Sequence, residues 1–195
     1  MSLLDELRRL TAFETDAIVS ARERAEQQLR VPPPEVGALL RWAARSTSAR
    51  AVVEIGAAGG LTALWTLGGM DKGLVTSVES DPGLHALADK AWAEAGVTER
   101  VRSILGDPLE VLPRLSDASY DLVVVQVTGH LLDRALEHAL RLVRSGGTIL
   151  ARSLLAAQDV PVAVTALLDE EGVTGVLLPL DDGILLATVT ASAEA

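Results

Sequence analysis

The order of apolar and polar positions divides the chain in two. Over the first 45 or so residues the period is helical: Leu3, Leu4, Leu7 and Leu10 fall on one face, and a more polar helix is predicted over 15–29. Val31-Pro32-Pro33-Pro34 stops it, and Pro34 is placed to open a third helix running through Trp42. From Ala51 short apolar runs at 51–55, 74–79, 101–105, 121–127 and 148–151 alternate with helical stretches at 62–67, 83–95, 108–115 and 131–143. Continuous apolar strands separated by helices predict a parallel sheet buried on both faces, and right-handed crossovers make it doubly wound. The tail reads as a helix over 160–168, a strand over 175–180, the turn Asp181-Asp182-Gly183 and a strand over 184–190, so the sheet should end with one antiparallel strand. The predicted fold class is α/β, a mostly parallel seven-stranded sheet with helices on both faces. One unit of 195 residues is expected, with N-terminal helices over 1–45 and the α/β core over 51–190.

Composition narrows the partners. Apolar residues make up 49% and charged residues 23%, so disorder, collagen and coiled coil are excluded. A net charge of −10 argues against a nucleic-acid partner. The absence of cysteine removes disulfides, thiolate nucleophiles and thiolate-bound metals. The N-terminus lacks the basic region of a signal peptide, and no window is long and apolar enough to span a bilayer. A cytoplasmic protein with no membrane partner is expected.

The first strand runs into Glu54-Ile55-Gly56-Ala57-Ala58-Gly59-Gly60 and then a helix. Such a loop lets a ligand approach the backbone closely, although an ordinary strand-to-helix turn has the same look. Glu79 follows Gly60 by 19 residues, at the end of the next strand. That spacing suits a carboxylate accepting ribose hydroxyls; the bland alternative is a solvated strand-end acid. Ala58 breaks the dinucleotide Gly-x-Gly-x-x-Gly pattern, and Glu54 would repel a pyrophosphate. A ribose-bearing ligand with a cationic or zwitterionic far end fits better, and S-adenosylmethionine is one. Asp107, after the third strand, is open to two readings, a contact to an adenine edge or a helix N-cap.

Seven segments in order then resemble the S-adenosylmethionine-dependent O-methyltransferases related to catechol and caffeoyl-CoA O-methyltransferases: 34–40, 53–62, 78–82, 106–112, 119–123, 140–147 and 179–185. The resemblance implies a Rossmann-like methyltransferase fold and a small-molecule acceptor. It implies that Glu54, Gly56 and Gly60 shape the methionine side of the pocket, that Thr62 holds the carboxylate, that Glu79 takes the ribose, and that Gly106, Asp107 and Pro108 border adenine. Residues 31–33 would cover the cofactor. Family members are commonly dimers, so a homodimer is an expectation.

One stretch departs from the family. Its first metal-ligating aspartate falls on Gln126, its lysine on Gly129, and its Asp-Asn pair on Arg152-Ser153. Gln126 keeps an oxygen and is grouped with the cofactor-side residues. Mg²⁺ prefers carboxylate oxygens and would meet the cationic Arg152, so no divalent metal is expected. The catalytic candidates left are His130, as a base, and Arg152, neutralising a phenolate or carboxylate. Their alternatives are a surface histidine and an exposed arginine. His85 and His138 are read as structural or solvated, and residues 153–159 as hinting at an uncharged or aromatic acceptor. Three functions stay open: a metal-independent methyltransferase, a non-catalytic S-adenosylmethionine-binding relic, and a fold retained for protein contacts.

Overall fold

The structure is a computed structural model and describes residues 14–152, 154 and 160–190, together with Leu3, Glu6, Arg9 and Leu10. Seven strands, β1 (Ala51–Ile55), β2 (Leu74–Glu79), β3 (Val101–Leu105), β4 (Tyr120–Val125), β5 (Val143–Arg152), β6 (Val173–Leu178) and β7 (Ile184–Val189), form one sheet of order β3-β2-β1-β4-β5-β7-β6. β7 runs antiparallel to both its neighbours, β5 and β6, and the other pairings are parallel. The single antiparallel strand is therefore the C-terminal one, as expected, but it lies inside the sheet with β6 at the edge.

Helices α1 (Asp16–Ala25), α2 (Pro34–Ser46), α3 (Leu61–Gly69) and α4 (Pro82–Glu94) cover one face, where Ile18, Leu40, Leu61 and Trp92 pack on Val52, Val75 and Val124. The short α5 (Pro108–Val111) leads directly into a 3-10 turn, Leu112–Arg114, whose Leu112 packs on the other face. There α6 (His130–Leu142) and α7 (Val162–Asp169) set Leu132, Leu136 and Val164 against Val53, Ile55, Val123 and Ile149. Alternate residues of β1 thus serve opposite faces, which is why its apolar run is continuous. No described helix is long and apolar enough to cross a membrane.

Two Asp-Pro pairs start helices. Asp81 accepts from the Gly83 and Leu84 amides ahead of α4, and Asp107 accepts from the Leu109 amide ahead of α5. Three elements differ from the sequence reading by more than two residues at a boundary. α1 stops at Ala25 because Glu26-Gln27-Gln28 gives the core nothing to bury, and Leu29 packs on it instead. The fifth strand begins at Val143, with a register shift opposite Tyr120 and Leu122. The stretch predicted as one helix over 108–115 is α5 followed by that 3-10 turn. Of the N-terminal leucine stripe, Leu3 and Leu10 are helical and exposed, while Leu4 and Leu7 lie outside the described residues.

Asp121 ties the far end of the sheet. Its Oδ2 accepts from the Arg50 and Ala51 amides at 2.7 and 2.8 Å, and its Oδ1 from Arg144 Nε at 2.6 Å. Burial alone would raise its pKa, but these three donors outweigh it and hold the carboxyl below its ordinary 3.8. The stabilisation is present above that value and is lost as pH falls through the lower folded value. Asp121→Ala is expected to lower stability by about 2 kcal/mol at neutral pH, the gap closing in acid. Urea denaturation of both proteins at a series of pH values checks this.

Candidate functional site

The sheet ladder runs one rung past the strands at their carboxyl ends. The Gly56 amide donates to Val78 O, the Gly106 amide to Glu79 O and the Gln126 amide to Ile55 O, each at 2.9 Å. This brings Gly56, Glu79, Gly106 and Gln126 to one level at the top of four adjacent strands. Between β1 and α3 the chain passes through positive φ at Gly56, Ala58, Gly59 and Gly60. At Gly60 a Cβ would sit 3.0 Å from the Ala91 Cβ, so only glycine lets this loop lie on α4. The buried Trp92 fixes the contact by donating its indole N–H to Gly60 O at 3.0 Å.

Glu79 is 8% exposed and is not the solvated strand-end acid of the bland reading. Its Oε1 accepts from the Ser80 and Asp81 amides at 2.9 and 3.0 Å, and its Oε2 from the Ala57 amide at 3.0 Å. These bonds lock the glycine loop to the end of β2. A carboxylate oxygen has two acceptor positions, so Oε2 retains one for a ligand hydroxyl.

A cavity of about 410 Å³ opens here. Gly56, Ala58 and Glu79 line one side, Gln126 and Arg152 the other, and Leu29, Arg30 and Asp182 also border it. Gln126 Nε2 donates to Gly56 O at 3.0 Å and to the Thr62 hydroxyl. Its Oε1 accepts a long bond, 3.5 Å, from Arg152 Nη1.

Arg152 is 5% exposed, so the exposed-arginine alternative fails. Its Nη2 donates to Asp181 Oδ2 at 2.5 Å, and the Asp181 side chain is itself 3% exposed. Arg30 Nη2 donates to Asp181 Oδ1 at 3.2 Å and its Nη1 to Asp182. The hairpin tip and the segment after α1 are thereby joined beside the cavity. Arg152 Nε is buried without a hydrogen-bond partner. A divalent cation set against Gln126 Oε1 would face this guanidinium, so the donor set does not suit the metal that the family pattern implies. Among the described residues no three His, Asp or Glu side chains converge as a metal cluster does.

The remaining candidates fall in distinct places. Thr62 is fully buried beneath the loop, held by Gln126. Gly106, Asp107 and Pro108 flank Glu79 but are outside the cavity lining, and Asp107 serves as the cap of α5. His130 is an exposed residue at the start of α6 and is not brought to the cavity, whose wall on that side is made by Val127 and Thr128. Ser153 and 155–159, part of the stretch read as acceptor-lining, are outside the described residues. Sequence reasoning passed over Arg30, Asp181 and Asp182. The last two were read only as a turn, although antiparallel pairing of Ile184 with Arg152 sets that turn beside the guanidinium.

Glu54 is 1% exposed, on the same sheet face as its register partner Ser77. Both carboxyl oxygens and the Ser77 hydroxyl are buried without hydrogen-bond partners. Burial pushes the Glu54 carboxyl up to about 8; the Glu79 charge adds to the rise and the Ser77 hydroxyl opposes it. The acid beneath the loop is therefore neutral at pH 7.

The sequence profile of the O-methyltransferase family matches residues 2–189. A protein of Mycolicibacterium smegmatis, provisionally named an O-methyltransferase, is 41% identical over 193 residues, covering 90% of this chain and 92% of its own. A solved structure from Corynebacterium glutamicum superposes with a TM-score of 0.86 at 28% identity, covering 98% of each chain. The O-methyltransferase TomG of Streptomyces achromogenes, solved with S-adenosylmethionine, gives 0.83 at 25% identity over 95% of each chain. The chain belongs to the O-methyltransferase family.

The raised Glu54 pKa has a measurable consequence. The folded chain holds this proton up to about pH 8, whereas the unfolded chain releases it near 4.5. Between these values the folded state binds more protons, so stability falls as pH rises. Wild type is expected to lose up to about 1.4 kcal/mol per pH unit relative to Glu54→Gln across this window. Denaturation midpoints of the two proteins measured from acid to mildly alkaline pH check it, and parallel curves would contradict it.

Proposed function

We propose that this member of the O-methyltransferase family is an S-adenosylmethionine-dependent enzyme that methylates an oxygen of a small-molecule acceptor without a divalent metal. The observation that carries the reading is one cavity with two unlike walls: the glycine loop and Glu79 on one side, the buried Arg152 on the other. When bound, S-adenosylmethionine supplies a methyl group already activated by its sulfonium. Glu79 Oε2 uses its open acceptor position for a ribose hydroxyl. Gly106, Asp107 and Pro108 stand next to Glu79, on the adenine side. Gly56, Gly60 and the loop between them face the methionine part, and Thr62 and Gln126 brace that loop from below. Neutral Glu54 spares this region a second buried charge.

With the nucleoside at the tops of β1 and β2, the acceptor lies toward β4 and β5, as ligands do at the carboxyl ends of an open α/β sheet. Gln126 and Arg152 are at that end. The Arg152–Asp181 pair places a guanidinium, with its own carboxylate partner, where the family pattern has a metal ligand, which supports metal independence. A second reading, a protein that binds S-adenosylmethionine without turnover, draws on the placement of His130 outside the cavity.

Calorimetric titration with S-adenosylhomocysteine tests the cofactor site. Micromolar binding is expected, weakened tenfold or more in Glu79→Ala, about 1.4 kcal/mol. Binding unaffected by that change would remove Glu79 from the site. Titration of the loaded protein with Mg²⁺ should give no saturable heat; tight binding abolished by Gln126→Ala would overturn metal independence.

A further inference from the structure

Three side chains from three elements hold the glycine loop. Gln126, just past β4, donates Nε2 to Gly56 O at 3.0 Å. Glu79, ending β2, accepts the Ala57 amide at 3.0 Å. Trp92, in α4, donates its indole N–H to Gly60 O at 3.0 Å. Gln126 and Glu79 line the cavity, so either of them meets a ligand directly. Trp92 does not line it; it is 2% exposed and packs in the core on the helical side of the sheet. Whatever Trp92 does to a ligand passes through Gly60. That end of the loop depends on outside support. Ala58, Gly59 and Gly60 have φ of 46, 65 and 91°, and a glycine pair is the most mobile backbone once a restraint is lost. Bonds from the Gly60 amide to Ala57 O and from the Leu61 amide to Ala58 O form the turn without placing it on the rest of the fold. Packing places it. A Cβ at Gly59 would sit 2.8 Å from the Ala25 Cβ of α1, and one at Gly60 3.1 Å from the Ala88 Cα of α4. An Arg24–Glu94 ion pair of 2.7 Å ties those two helices together. Such contacts confine the turn but set no direction for a peptide plane, because dispersion is not directional and a hydrogen bond is. The Trp92 bond supplies that direction, at the residue that caps α3.

Building on the cofactor reading proposed above, we propose that Trp92 is a positioning residue for the methionine half of the cofactor. Through Gly60 it orients the turn of Ala58, Gly59 and Gly60, and Ala58 carries that orientation to the cavity wall. The nucleoside half depends on a different bond, the one between Glu79 and the Ala57 amide, which does not involve α4. Loss of the indole N–H therefore loosens the α3 end of the loop and leaves the ribose side in place. Trp92 itself touches no ligand atom.

The test titrates full-length wild type and Trp92→Phe by calorimetry with two ligands. One is S-adenosylhomocysteine; the other is 5′-methylthioadenosine, which keeps the nucleoside and the thioether but lacks the amino-acid end. Phenylalanine stays apolar and aromatic but cannot donate. Trp92→Phe is expected to weaken S-adenosylhomocysteine by about fivefold or more and to leave 5′-methylthioadenosine within about twofold. An equal loss for both ligands marks a merely structural role, and no loss for either shows that the loop does not need the bond; each overturns the inference. Wild type that binds S-adenosylhomocysteine but not 5′-methylthioadenosine overturns it as well, because the nucleoside side then does not hold on its own. If Trp92→Phe does not fold, wild type labelled with nitrogen-15 at the tryptophan indoles carries the test. Hydrogen exchange at the Trp92 indole should slow when S-adenosylhomocysteine binds and stay unchanged with 5′-methylthioadenosine; the same response to both overturns the inference. Failure of both ligands to bind wild type overturns the proposed activity and this inference with it.

Discussion

A charge taken out of water persists only if partners replace the water, and this constraint shapes the top of the sheet. Glu79, Arg152 and Glu54 are all nearly inaccessible there, and each meets it in a different way. Glu79 gathers three backbone amides, which anchors the glycine loop to β2. Arg152 is neutralised by Asp181, which anchors the C-terminal hairpin over β5. Glu54 has no partner and keeps its proton instead. Loop, hairpin and cavity hold their relative positions because those compensations span separate parts of the chain.

Much of this was legible in the amino-acid order. The strands β1 to β4 are short apolar runs, and burial on both faces leaves them no other pattern to show. Glu79 could be found because its spacing from the glycine loop is set by one helix and one strand. Asp107 was open to two readings, an adenine contact or a helix cap, and the structure uses its carboxylate as the cap of α5. The end of α1 and the start of β5 were not legible. The first depends on Leu29 leaving the helix to join the core, and the second on a register shift opposite Tyr120, both tertiary events.

The ion-pair cluster was hidden for a related reason. Arg30, Arg152 and Asp181 are far apart in the chain and meet only because β7 inserts next to β5. The departure from the family pattern at Gln126 and Arg152 was visible in the sequence. That Arg152 is buried and paired was not visible, since an arginine after a strand is more often solvated. His130 had the right chemistry for a base, but the turn into α6 leaves it on the surface.

On the proposed reading, the glycine loop and Glu79 form the cofactor side, and the Arg152–Asp181 pair stands where the family pattern has a metal ligand. The most direct test is a crystal structure of the protein grown with S-adenosylhomocysteine and Mn²⁺, with anomalous data to locate manganese. The account predicts ribose hydroxyls on Glu79, Arg152 still paired with Asp181, and no anomalous peak near Gln126. A manganese ion bound at Gln126 with Arg152 swung away, or a ribose seated elsewhere than on Glu79, would contradict it.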